Sequence, residues 1–150
     1  VINTAPVRLQ LSRHKGFNLQ EHSRAINGLE AVNVARPGKW GNPFDFRRSE
    51  YCWAALSFEC RGDAKGRREA SIKAFCDWID PPCNKLMIEY ELQAGMECGR
   101  KKISLGPLIH AGQAPSKDEI VGALRGKNLA CFCDLNSLCH ADILLRMANK

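Results

Sequence analysis

Residues 128 to 149 constrain the fold more than any other part of the chain. Asn128-Leu129-Ala130-Cys131-Phe132-Cys133 is a nearly continuous apolar run, and a strand of that kind is normally covered on both faces, as strands of parallel sheets are. Residues 141 to 149 follow with Ile143, Leu144 and Met147 on one helical face. A buried strand passing through a short loop into an amphipathic helix is part of an α/β architecture, so the rest of the chain must supply further strands for the same sheet.

Two segments meet that need. Val7, Leu9 and Leu11 alternate with Arg8, Gln10 and Ser12, which places the three apolar residues on one face of a strand, and Ala31-Val32-Asn33-Val34-Ala35 forms a second. Residues 13 to 30 between them are polar and read as a loop with a single helical turn. Helices are predicted over 49 to 60 and 64 to 79. In the second, Ala70, Ala74, Phe75, Trp78 and Ile79 recur at three- and four-residue steps, and Pro81-Pro82 ends the pattern. Residues 85 to 94 have a weak helical pattern that Gly95 and Gly99 interrupt, and 83 to 112 read as an insertion. Ser116 and Glu119 have the spacing of a capping box, which opens a helix through Leu124 that Gly126 closes. Together these elements predict one α/β domain over 1 to 150, Rossmann-like and three-layered, with a short, mostly parallel sheet and helices on its faces.

The composition, 45% hydrophobic and 25% charged, is that of a soluble globular chain. Its longest apolar run, residues 51 to 58, falls well short of the ~20 residues of a membrane span. No secretory pattern opens the sequence, so a cytoplasmic protein with reduced thiols is expected. The net charge of +6 suits an acidic partner, nucleotide or nucleic acid included. The excess is spread along the chain, which fits a solvated surface equally well.

Of the eight cysteines, Cys52, Cys60, Cys76, Cys83 and Cys98 are scattered, and the bland expectation for such residues is a small buried hydrophobe. Cys131, Cys133, Cys139 and His140 fall in one short stretch. Three thiols and an imidazole are the ligand set of a structural zinc site, making all four candidate metal ligands. Against this, a C-x-C pair on a strand does not wrap a metal as a C-x₂-C turn does, and adjacent Cys139 and His140 diverge unless the helix start is bent. A second alternative is a catalytic centre of Cys139 and His140, since a helix N-terminus favours a thiolate and would make Cys139 the most reactive thiol. Plain buried structural residues are the third.

The loop Arg36-Pro37-Gly38-Lys39-Trp40-Gly41-Asn42-Pro43-Phe44 excludes regular structure by its two prolines and two glycines. Arg36 and Lys39 offer cations, Trp40 a stacking face and Asn42 a donor and an acceptor, a set suited to a nucleotide or base. Trp40 and Phe44 plugging the core, with Asn42 capping a turn, is the structural alternative. Arg13, with His14 and Lys15, follows the first strand and adds cations at the same expected sheet end.

Three patches, Val7-Arg8-Leu9-Gln10-Leu11-Ser12-Arg13 with Lys15-Gly16, residues 34 to 44, and residues 124 to 144, resemble the uncharacterised bacterial and phage family catalogued as domain of unknown function 4326. The resemblance covers the first 45 or so residues and the last 35. It implies a small stand-alone domain, often phage-encoded and then acting in the host cytoplasm, with Arg36, Trp40, Gly41, Asn42, Pro43, Cys131, Cys133, Cys139 and His140 at motif positions. The leading expectation is a pocket for a nucleotide, nucleoside or nucleic-acid base, held by Arg13, Arg36, Lys39, Trp40 and Asn42 beside the Cys/His cluster. The alternative is a non-catalytic, zinc-stabilised module that engages a host protein or DNA.

Overall fold

Alternating side chains at the start of the chain do form a strand, β1 (Arg8–Gln10), with Leu9 buried at 3% exposure. The computed structural model describes residues 5–36, 38–44, 64–80, 89–91, 97–98, 101–102, 108–110 and 113–150. After β1 come α1 (Leu19–Asn27), β2 (Ala31–Asn33), α2 (Ala64–Ile79), the short strands β3 (Glu89–Glu91), β4 (Glu97–Cys98), β5 (Lys101–Lys102) and β6 (Leu108–His110), then α3 (Lys117–Leu124), β7 (Asn128–Cys131) and α4 (His140–Ala148). The described residues form a mixed α/β structure with a three-stranded parallel sheet ordered β1-β7-β2. No helix among them is long and apolar enough to cross a membrane.

Contacts divide the chain into two compact units, residues 1–41 with 115–150, and residues 42–114. In the first, every residue of β7 is buried, the apolar Leu129, Ala130 and Cys131 and also the polar Asn128 at its start. Leu9, Ala31 and Ala130 form a core cluster against which Leu11 and Leu19 pack. Side chains alternate across a strand, so Arg8 lies on the face opposite Leu9, where its Nε pairs with Asp142 of α4 at 3.1 Å. Helix α3 begins as its spacing predicts: Ser116 Oγ accepts from the Glu119 amide at 3.1 Å, and Glu119 accepts from the Ser116 amide at 3.0 Å. Ile120 and Leu124 then turn inward.

Helix α1 is longer than the single turn expected. Its buried residue is Ser23 rather than a large apolar side chain, so the usual helical stripe is faint in the sequence. The ends are well marked. Asn18 accepts from the Glu21 amide, and Gly28 adopts φ 77, a left-handed helix stop that L side chains resist. Gln20 extends its amide along β2, accepting from Ala31 N at 3.0 Å and donating to Ala31 O at 2.8 Å.

In the second unit, α2 has the predicted bounds and buries the predicted Ala70, Ala74, Phe75, Trp78 and Ile79. Trp78 meets Phe44 edge-on at 6.3 Å and Phe75 at 5.8 Å. The weak helical pattern of 85 to 94 gives way at Glu89–Glu91 to a strand paired antiparallel with β6. Three-residue strands draw on pairing with a distant segment, which no local periodicity records. The helix expected over 49 to 60 lies outside the described residues.

Candidate metal centre

The C-x-C pair does not lie on one straight strand. β7 stops at Cys131 and the chain bends at Phe132 and Cys133, bringing the two sulfurs to 3.8 Å. An Asx turn reverses the chain next, with Asp134 Oδ1 accepting from the Asn136 amide at 2.9 Å. Cys139 is the N-cap of α4 with extended backbone, φ −148 and ψ 142, and its side chain makes no capping bond. That non-helical geometry separates its side-chain direction from the helical pattern and lets neighbouring Cys139 and His140 converge, with Sγ 3.7 Å from Nδ1. The sulfurs of Cys131, Cys133 and Cys139 all lie within 4.8 Å of one another, a group able to hold a metal ion.

Two of these spacings, Cys131 to Cys133 and Cys139 to His140, suit the chemistry of the donor set. For tetrahedral zinc with Zn–S of about 2.3 Å and Zn–N of about 2.0–2.1 Å, adjacent sulfurs should be about 3.8 Å apart and a sulfur and imidazole nitrogen about 3.6 Å. His140 is only 4% exposed. Its Nε2 lies 2.7 Å from the Val34 carbonyl, and a carbonyl can only accept, so Nε2 carries the proton. In neutral imidazole this leaves the Nδ1 lone pair on the side of Cys139. A metal-binding histidine usually has such a carbonyl behind its other nitrogen.

The protonation pattern points the same way. Hydrogen bonds from Cys133 and then Cys139 hold the Cys131 thiol far below its ordinary value, against the opposing effect of burial. Hydrogen bonding with Cys131 and Cys133, reinforced by burial, pushes Cys139 strongly upward. Cys131 thus favours ionisation while Cys139 resists it, and a cation is what would relieve that resistance. Burial lowers the pKa of His140, favouring the neutral form a metal requires. The helix start, expected to make Cys139 the most reactive thiol, contributes little to its acidity. The Ala141 amide at the helix start does lower its pKa, but as the smallest of the causes, and the thiol is only 2% exposed.

Arg8 is the residue that sequence reasoning passed over. Its guanidinium donates to the carbonyls of Asp134 at 3.3 Å, Leu135 at 2.8 Å and Ser137 at 2.9 Å, fixing the loop between Cys133 and Cys139. The available signal was a cation opposite the apolar face of a short strand.

The loop after β2 reaches the same centre through its backbone. The imidazole of His140 meets the Trp40 backbone, and the Arg36 charge lies near enough to oppose its protonation. Lys39 sits 5.0 Å over the Trp40 ring and 3.9 Å from Glu119. A Cβ on Gly41 would come within 2.9 Å of Arg36 Cα and 3.0 Å of Arg36 N. Gly41→Ala must therefore displace backbone, and an urea titration should show a loss of roughly 1–3 kcal/mol.

Asn42 belongs to the other unit, where it is buried at 3% exposure. Its Nδ2 donates to Ser71 Oγ at 3.0 Å, and its Oδ1 accepts from the Phe44 amide at 2.8 Å; Ser71 Oγ also bonds to the Phe44 carbonyl. The amide is thus engaged in holding the turn onto α2. Arg13 stacks 4.5 Å over Phe132.

No curated protein and no solved structure shows significant similarity to the chain. A family model, Domain of unknown function (DUF4326), matches residues 17–150. The match includes the middle of the chain, which the three-patch resemblance had left out, and begins after β1, so Arg8, Arg13 and Lys15 lie outside it. It contains the whole Cys/His cluster and the loop from Arg36 to Asn42, and on that coverage the chain belongs to the DUF4326 family.

Proposed function

We propose that the chain is a zinc-stabilised α/β binding module of reduced Rossmann-like, three-layer form, in which Cys131, Cys133, Cys139 and His140 hold the metal and lock the end of β7 to the start of α4. The observation that carries this reading is the gathering of three sulfurs within 4.8 Å of one another, with the His140 Nδ1 3.7 Å from that of Cys139. Burial of Cys131, Cys139 and His140 at 6%, 2% and 4% exposure favours a structural over a catalytic role, because a catalytic zinc keeps one position open to water or substrate. Elemental analysis of protein purified without added metal should find about one zinc per chain. A folded, metal-free protein in which one cysteine alkylates rapidly would instead favour the thiolate centre of Cys139 and His140.

A second reading, a site for a nucleotide, nucleoside or base, is favoured by the meeting of His140 with the backbone of Trp40 and the charge of Arg36. Val34 and Cys131 follow or end parallel strands, and ligands of open α/β sheets bind outside those carboxyl ends. Arg36, Lys39 and Trp40 would hold the phosphate and base, with Arg13 contributing a further cation. Calorimetric titration with AMP and with a short single-stranded oligonucleotide at low salt tests it. Absence of heat at millimolar AMP and at high oligonucleotide concentration removes this class of partner.

A further inference from the structure

The two edges of the three-stranded sheet differ. In β2, the hydrogen bonds Asn128 N to Glu30 O and Val34 N to Ala130 O show that even-numbered residues face β7. The outward groups of Ala31 are both taken by the Gln20 amide. In β1, Leu129 N donates to Val7 O and Leu11 N to Cys131 O, so odd-numbered residues face β7. The backbone N–H and C=O of Arg8 and Gln10 therefore point away from the sheet, and among the described residues no strand or side chain pairs with them.

This open edge forms the floor of a groove of about 1070 Å³. His22 and Ile26 of α1 line one part of it, and Phe132 and Leu135 of the loop after β7 another. Among the described residues the exposed large apolar side chains are Val7, Ile26, Phe132, Leu135 and Leu138, and all but Leu138 line this groove. Arg13 and His14 add positive or proton-accepting groups, and no carboxylate lines it.

We infer that β1 is a docking edge for an extended peptide segment of a partner protein, one that alternates apolar and acidic side chains and adds to the sheet as a further strand. Main-chain bonds to Arg8 and Gln10 would hold the segment, the apolar walls would take every second side chain, and Arg13 with Lys15 beside it would select carboxylates. Proteins usually blunt a free edge with charge, proline or a covering element, as Gln20 does for β2. A second copy of the chain fits less well, because residues 5 to 16 contain four basic or histidine side chains, Arg8 among them, and no acid to meet Arg13. The inference does not depend on the metal reading.

Selection from a displayed library of random peptides against the metal-replete full chain tests it. Alternating acidic and apolar peptides should be enriched, and a selected peptide should protect the Arg8 and Gln10 amides from hydrogen exchange. Gln10→Pro removes only an outward N–H, at a position already in strand geometry, and should weaken that peptide at least tenfold with an unchanged thermal midpoint. Arg13→Glu should abolish the preference for acids while leaving the midpoint unchanged. No enrichment over the bare support, enrichment of basic or non-extended peptides, or a selected peptide that leaves both amides unprotected would overturn the inference. Should Gln10→Pro fail to fold, the exchange measurement on the parent chain decides alone. Self-association that competes with the peptide would assign the edge to a second copy and likewise overturn it.

Discussion

Chelation is expected to lower the thermal midpoint of the purified protein by roughly 10 °C or more. Structural zinc sites carry apparent binding free energies of about 10–16 kcal/mol in small peptides, comparable with the entire stability of about 5–15 kcal/mol of an ordinary domain. Here the sheet unit also has its own core, including Leu9, Leu129, Ile120 and Leu144, so part of the fold should survive metal loss. A loss of about 4 kcal/mol corresponds to the stated shift for a chain of this size. Cys139→Ser should behave like chelation, because it removes one of the three clustered sulfurs and the one adjoining His140. Cys76→Ser, in α2 and outside the cluster, should leave metal content unchanged. Equal midpoints with and without chelator would remove the stabilising role of the cluster. Calorimetry on both forms makes the comparison.

Asn128→Ala should cost about 3–5 kcal/mol, read as a lower urea midpoint. Asn128 is fully buried at the start of the central strand, and its side chain bonds to three residues, Val7 beside β1 and Ser23 and Asn27 of α1. Oδ1 accepts from the Val7 amide at 2.9 Å and from Asn27 at 2.9 Å, while Nδ2 donates to Ser23 Oγ at 2.7 Å and to Asn27 Oδ1 at 2.7 Å. Removing this one amide leaves several polar partners buried or half-buried, each incurring roughly 1–3 kcal/mol when unsatisfied. Asn128→Asp should fare little better, since the donor to Ser23 and Asn27 is lost and a buried charge replaces it. A change below about 1 kcal/mol would mean that water replaces these bonds readily, contrary to the burial described.

The same residue shows where sequence reasoning reaches and where it stops. β7 was legible because a strand buried on both faces is mostly apolar, as Leu129, Ala130 and Cys131 are, and nothing in that pattern explained the polar Asn128 at its start. Its network joins residues more than a hundred positions apart, a relation no local pattern encodes. α2 and α3 were legible from an apolar stripe and a capping box. α1 was underestimated because its inward face is carried by Ser23, whose hydroxyl bonds to the Leu29 carbonyl, although Asn18 and Gly28 marked its ends.

At the candidate site, the identity of the ligands was evident from the sequence but their geometry was not. A straight C-x-C strand and a regular helix start would have held the four groups apart. The bend after Cys131 and the extended backbone of Cys139 bring the three sulfurs together and His140 beside Cys139, and both are stabilised by contacts outside the motif. Arg8 fixes the intervening loop, and the Val34 carbonyl orients His140. The chemistry of Asn42 suggested a ligand, whereas its burial and its bonds to Ser71 and Phe44 give it a structural task. Donor and acceptor capacity alone does not distinguish those uses.

X-ray absorption at the zinc edge tests the central claim most directly, on protein as purified. The account predicts a first shell of three sulfurs at about 2.3 Å and one imidazole nitrogen at about 2.0–2.1 Å, with the nitrogen lost in His140→Ala and one sulfur lost in Cys131→Ser. An absence of bound zinc, or a shell of nitrogen and oxygen alone that neither substitution alters, would contradict it.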